Sequence, residues 1–405
     1  MKGRLFVTPI LNTMGPVKDS NHSDLLTGWE EVDKATERYF SDNFRNSLID
    51  SREKPVVISW FLINWTGFTS NPVNRDFGWF TIYDHIVEAW GSKIKHYGDG
   101  IYWMYNHPDK SGIGNVWGLD WLENTSYLEI LNKFILERNF FPGVIEIPTC
   151  DTHTCNFLEN FFPFNLSNRN SSFINWDNIE ADGKRTRDII KWASAPKDWS
   201  FYHPSEVNHQ LPGHMKQFVF RLLDIKTRIM EFPDEEVNSA FELCRKGYDA
   251  IIAGYEHDFR DRSQIVEELF LKKIKRIWEK DYSDIQVIND NFQNSIRNIL
   301  GFYDDLKPEF FLSFKRDYLC ISSNCNLFNS TPYVVIHNLE RDVIYHHNPT
   351  KTGLNNWAIE AKALPEKFII GIGAFGVNGI QHLCKYRVIC NDISRLSHTG
   401  NIIPM

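Results

Sequence analysis

Ala250-Ile-Ile-Ala-Gly-Tyr-Glu-His257-Asp258-Phe-Arg260-Asp261 decides how the rest of the chain is read. An uncharged run ends abruptly in Glu256, His257 and Asp258. A strand covered on both sides is apolar at consecutive positions, not at alternate ones. The same pattern recurs at residues 4–9, 56–63, 100–105, 143–147, 199–202 and 285–288. Amphipathic stretches lie between these runs, at residues 76–90, 124–138, 216–230, 235–246 and 263–280. In the third of them Phe218, Leu222, Ile225 and Ile229 recur at the spacing of one helix face. Strand–helix repetition of this kind predicts a parallel α/β domain, closed into a (β/α) barrel or open, over residues 1–306.

After Lys307-Pro308 the pattern changes. Short strand-like runs follow at residues 309–316, 317–322, 332–338, 343–347, 357–363, 367–372 and 385–389. Asn329-Ser330, Asn348-Pro349, Thr352-Gly353 and Asn378-Gly379 mark turns between them. Residues 307–405 are therefore expected to form a small antiparallel β-sandwich. Gly371-Ile-Gly373-Ala-Phe-Gly376 falls in this part and formally matches a dinucleotide fingerprint. No helix-forming segment follows it, so it reads as tight packing.

Composition excludes several classes of function. Lys and Arg number 44 against 52 Asp and Glu, a net charge of −8, and no basic run offers a nucleic-acid groove. Aromatics make up 14% of the chain, which a disordered protein would not carry. No apolar run approaches the roughly 20 residues of a membrane helix. The N-terminal stretch, with Lys2, Arg4 and Pro9, does not read as a secretory signal. Seven cysteines, an odd and scattered set, are expected to be reduced thiols in the cytoplasm. A nucleophile elbow and a phosphate-binding loop are both missing.

In parallel α/β domains ligands bind at the carboxyl ends of the strands. The residues that follow each run are therefore the candidates for chemistry. They are Asn12 after the first run, Asn64 after the second, and Asn106 and His107 after the third. Asp151 and His153 follow the fourth, His203 the fifth, and His257, Asp258 and Arg260 the sixth. His257 beside Asp258 suits a general acid, since a neighbouring carboxylate favours the imidazolium. The alternative is a loop histidine that helps cap the helix beginning near Asp261. His107, Asp151 and His153 are candidate metal ligands, with Asp151 as a helix N-cap the competing reading. Asn12, Asn64, Asn106, His203 and Arg260 are candidate substrate contacts. Tryptophans that line such a cleft would offer flat apolar faces to a sugar ring.

Asp99-Gly-Ile101, Asn106-His107-Pro108, Phe141-Pro142-Gly143 and the 251–258 stretch come in the order and local pattern of a known family. Over roughly residues 4–300 the chain resembles the polysaccharide deacetylases of the NodB-homology type. The resemblance implies a distorted (β/α) barrel and a divalent metal such as zinc held by an Asp and two His. It also implies hydrolysis of an acyl group on a glycan or a sugar intermediate of cell-surface polysaccharide synthesis. In that frame His257 is the general acid. The chain departs from the family's motifs at several points. Its first run ends in Leu11-Asn12-Thr13 without the family's paired aspartates, His107 stands without a second histidine, and Gly143-Val-Ile-Glu-Ile147 lacks the family's arginine. A metal-free variant therefore stays open, as does an accessory or carbohydrate-binding protein built on a degenerate barrel. The expected partner is a sugar or glycan, with no nucleic acid and no membrane span.

Overall fold

The computed structural model describes residues 2–17, 25–64, 80–105, 122, 126–148, 150–168, 192–226, 231–397 and 402–403. The chain divides into two compact units. The first holds Met1–Trp121, Val144–Cys155 and Phe164–Leu300, and the second holds Leu122–Gly143, Asn156–Pro163 and Gly301–Met405.

The first unit is built on parallel strands: β1 (Arg4–Thr13), β2 (Ser59–Asn64), β3 (Gly100–Tyr105), β4 (Ile145–Glu146), β5 (Phe164–Asn168), β6 (Phe218–Arg221), β7 (Leu223–Asp224), β8 (Ala250–His257) and β9 (Gln286–Asn289). Their order is β6-β5-β4-β3-β2-β1-β8-β7, a nearly closed eight-membered barrel. Its two ends, β6 and β7, are consecutive in the chain and parted by Leu222 alone. β9 joins β1 over Arg4–Val7, on the edge that β2 takes from Ile10 onward. The wall forms because its residues are buried on both faces, as the uncharged runs predict: every residue of β2, and of β8 up to Glu256, is buried.

Among the described residues, the helices of this unit include α1 (Trp29–Arg38), α2 (Asp42–Arg45) and α3 (Thr81–Tyr97). Phe40, just past α1, stacks on Trp60 of β2 and on Trp90 of α3. The predicted helix over 235–246 is Asp234–Arg245, and the one over 263–280 runs from Ser263 to Asp281 through a π-helical segment, Glu267–Leu271.

Two expectations fail here. The predicted helix over 216–230 is instead β6 and β7, with residues 227–230 outside the described part. Val219, Phe220, Leu222 and Leu223 are all buried, so the segment has two faces to cover. A one-faced helix would expose half of them, and the aromatic and β-branched residues suit a strand. The predicted strand over 199–202 is not in the barrel; only Tyr202 pairs, antiparallel to Val219. The fifth barrel strand is Phe164–Asn168, a segment outside the predicted runs.

In the second unit two antiparallel sheets share one core. One sheet is Phe310–Lys315, Tyr318–Ser323, Asn356–Glu360 and Thr350–Gly353, in that spatial order. The other runs Val343–His347, Tyr333–Asn338, Lys367–Phe375, Gln381–Ile389, Asp392–Leu396 and Ile402–Ile403. Leu319, Ile321 and Trp357 from the first pack with Val334, Ile336, Ile370 and Ile372 from the second. The expected sandwich is thus present, with strands at 350–353, 392–396 and 402–403 added to those predicted. The helix Ser126–Arg138 also belongs to this unit. Gly371 and Gly373 lie mid-strand where Ile135 and Phe141 press on the sheet; a Cβ would come within 2.4 and 2.6 Å of them. The glycine motif is therefore a packing device.

Candidate active site at the carboxyl ends of the barrel strands

Which face of the wall a residue occupies follows from strand alternation. Phe61 of β2 and Phe220 of β6 both reach the ring of Phe292, with centroids 6.5 and 5.6 Å apart, so both point into the barrel. Asn12 is in register with Phe61 on one side and with His257 on the other, so all three share the inward face. Asn12 Nδ2 donates to Glu146 Oε1 at 3.3 Å, across the barrel from β1 to β4. Gly254 fixes the opposite parity of β8. A Cβ there would meet Phe270 of the surrounding helix layer at 2.8 Å and Ile225 at 2.9 Å. Glu256, two residues on, therefore faces outward.

The inward cluster is Asn12, Glu146 and His257. Asn12 and Glu146 are fully buried, and His257 is half-buried at the end of its strand. Among the described residues Asn12 Oδ1 has no hydrogen-bond partner. Tyr255, His257 and Phe259 continue along one side as a ladder of rings, with centroids 5.5 and 4.8 Å apart. Glu146 was not singled out from the sequence, although a carboxylate within Val144-Ile-Glu-Ile147 was there to see.

The other sequence candidates scatter. Asp258 is buried, but its carboxylate accepts the Met14 and Gly15 amides at 2.7 and 3.0 Å. Asn64 lies on the outward face of β2 and accepts the Trp103 indole N–H at 2.7 Å. His203 sits beside Phe218, the first residue of its strand, with ring centroids 4.5 Å apart. It is thus at the opposite end of the strands from His257. Arg260 stacks over Phe259 and lies near enough to Glu256 to act on its carboxyl. Asn106 and His107 lie outside the described residues.

Asp151 Oδ1 accepts the Thr154 amide at 2.7 Å and so caps the helix Thr152–Leu158, while His153 is exposed. Among the described residues no group of three or more His, Cys, Asp or Glu is placed to hold a metal. The described part of the chain does not assemble the divalent-metal set that the resemblance implies.

Glu256 is the second buried strand-end carboxyl. Burial pushes it up from 4.5 to about 7; Arg262 and Arg260 oppose the rise and Asp224 adds to it. Among the described residues its Oε1 has no hydrogen-bond partner, nor has the hydroxyl of Tyr39. Burial and then the charge of Glu256 hold that phenol well above its usual range.

No family model matches the chain, and no curated protein does. Similar solved structures include a double mutant of the Cellulomonas fimi endo-beta-1,4-mannanase, 9% identical, covering 95% of this chain and 94% of that one with a TM-score of 0.28. A second structure of the modular C. fimi mannanase is 8% identical over the same shares, with a TM-score of 0.29. OgpA from Akkermansia muciniphila is 10% identical over 98% and 96%, with a TM-score of 0.17. Likeness at these scores carries no argument; the barrel rests on this chain's own strand pairing. Among the described residues no helix is long and apolar enough to cross a membrane.

Proposed function

We propose that the protein is a carbohydrate-active hydrolase whose reacting groups, Glu146 and His257, meet at the carboxyl mouth of the barrel. The observation that carries this reading is Asn12, fully buried, tied to Glu146 by Nδ2 and with Oδ1 unpartnered among the described residues. Leaving a buried acceptor unsatisfied costs about 1–3 kcal/mol, a cost that a bound hydroxyl would remove. A sugar supplies hydroxyl donors for Asn12, and its flatter ring face suits the Tyr255–His257–Phe259 ladder.

The finer reading is removal of an acyl group from a glycan or sugar intermediate of surface-polysaccharide synthesis. Glu146 takes a proton from the attacking water, whose oxygen bonds to the acyl carbon. His257 gives a proton to the departing amine or alkoxide, so that carboxylate and a free sugar group are released. A cytoplasmic location fits seven cysteines that form no disulfide among the described residues.

The test is acetate release from N- and O-acetylated oligosaccharides by the purified full chain, with and without a chelator. Glu146→Gln and His257→Ala are each expected to lower turnover by roughly 10²–10⁴-fold with little change in Tm. If no glycan yields acetate or new reducing ends, the enzyme reading is wrong. Calorimetric binding of the same glycans would then favour the carbohydrate-binding alternative. Turnover abolished by chelator and restored by zinc would return the metal reading, with His107 as the ligand to examine first.

A further inference from the structure

Asp258 is next to His257 in the chain, yet its described hydrogen bonds serve a different part of the wall. Oδ1 accepts the Met14 amide at 2.7 Å and Oδ2 the Gly15 amide at 3.0 Å. Its own N–H donates to the carbonyl of Asn12 at 3.3 Å. Successive backbone N–H groups turned toward one anion form a nest, and the turn here needs Gly15. That residue has φ +72°, and a Cβ on it would come within 3.2 Å of Trp29 and 3.3 Å of Ile82.

We infer that Asp258 is a positioning residue, which clasps the chain just beyond Asn12 and so holds the Asn12 amide against Glu146. The inference rests on Glu146 being a reacting group, but the clasp itself consists of the Asp258 bonds to the Met14 and Gly15 amides. β1 leaves the sheet after Thr13, whose register partner is Leu62, and a strand end without further pairing frays. Charge-assisted bonds to two consecutive amides stop that fraying one residue past the strand. The bond they protect is sensitive: at 3.3 Å, Asn12 Nδ2 to Glu146 Oε1 is already at the long end for N–H···O. A small outward shift of Asn12 would break it.

The test follows the Glu146 carboxyl directly by ¹³C NMR of glutamate-labelled protein, with its resonance assigned by its loss in E146Q. A donated hydrogen bond favours the charged carboxylate, so losing it raises the midpoint of titration. In Asp258→Ala the Glu146 midpoint is expected to rise by about one pH unit, and in Asp258→Asn, which keeps one acceptor oxygen, by less. A purely structural role would lower Tm and leave the midpoint where it was. An unchanged midpoint in folded Asp258→Ala overturns the inference; if that variant does not fold, an unchanged midpoint in Asp258→Asn does so. Neither result depends on turnover, so absence of hydrolysis would count against the proposed function and not against the clasp.

Discussion

Glu146 and Glu256 look alike in the sequence and sit on opposite sides of one wall. Each is a carboxylate near the end of an uncharged run, and each is buried. Glu146 points into the barrel and accepts the Asn12 amide. Glu256 points out into the helix layer, where Oε1 has no partner among the described residues and burial lifts the group to about 7. The difference teaches that parity along the strand, not the residue type, decides whether a buried acid can meet a ligand. Inside, the carboxylate shares a mouth with Asn12 and His257. Outside, the same chemical group is a destabilising charge at neutral pH.

The sharpest way to break this comparison is to neutralise each acid in turn. Glu146→Gln is expected to lower turnover by roughly 10²–10⁴-fold, while Glu256→Gln leaves turnover per folded molecule intact. Equal losses in the two variants would mean that both acids face the reacting centre.

Stability against pH separates them further. Between pH 4.5 and about 7 the folded chain keeps the Glu256 proton that the unfolded chain has released. Stability should therefore fall as pH rises through that window and stay low above it. Glu256→Gln should remove the fall, being roughly 3 kcal/mol more stable than the parent at pH 8 relative to pH 4. Urea unfolding at the two pH values would measure it, and a parallel offset at both would refute the outward assignment of the penalty.

A smaller effect tests parity itself. Gly254→Ala should cost about 1–3 kcal/mol by pressing on Phe270 and Ile225, with the mouth of the barrel unaffected. A neutral result would mean that this side of β8 has room the packing does not predict. The smallest change is Asp151→Ala, at about 1 kcal/mol for a lost helix cap. If thermal scans with and without added zinc gave a metal-dependent loss instead, Asp151 would be a ligand after all.

Part of the site was legible without coordinates. The strand-end positions of Asn12 and His257 can be read from the sequence, because an uncharged run announces a strand and its end announces the carboxyl edge. Glu146 was passed over because a charge inside an apolar run has two meanings. Arg221 shows the other one: it lies in β6, fully buried, and forms a two-pronged ion pair with Glu236 at 2.6 and 2.8 Å. Asn64 was read as a substrate contact, but it sits one residue past inward-facing Ile63, and a single step moves a side chain to the other face. His203 was misplaced because residues 199–202 look apolar enough for a strand, while the true fifth strand, Phe164–Asn168, carries two asparagines that disguise it.

Strand and helix alternation, the switch to short strands after Pro308 and the position of most strand ends were properties of the sequence by itself, because burial on two faces, on one face or on none leaves a local pattern. The pairing of β1 with β4 through Asn12 and Glu146, the outward turn of Glu256, and the use of Asp258 on the Met14 and Gly15 amides were decided only by the tertiary structure. Residues 12 and 146 meet because the sheet curls, and Asp258 reaches Met14 and Gly15 because β8 pairs with β1; no local pattern encodes which distant strand a side chain will meet.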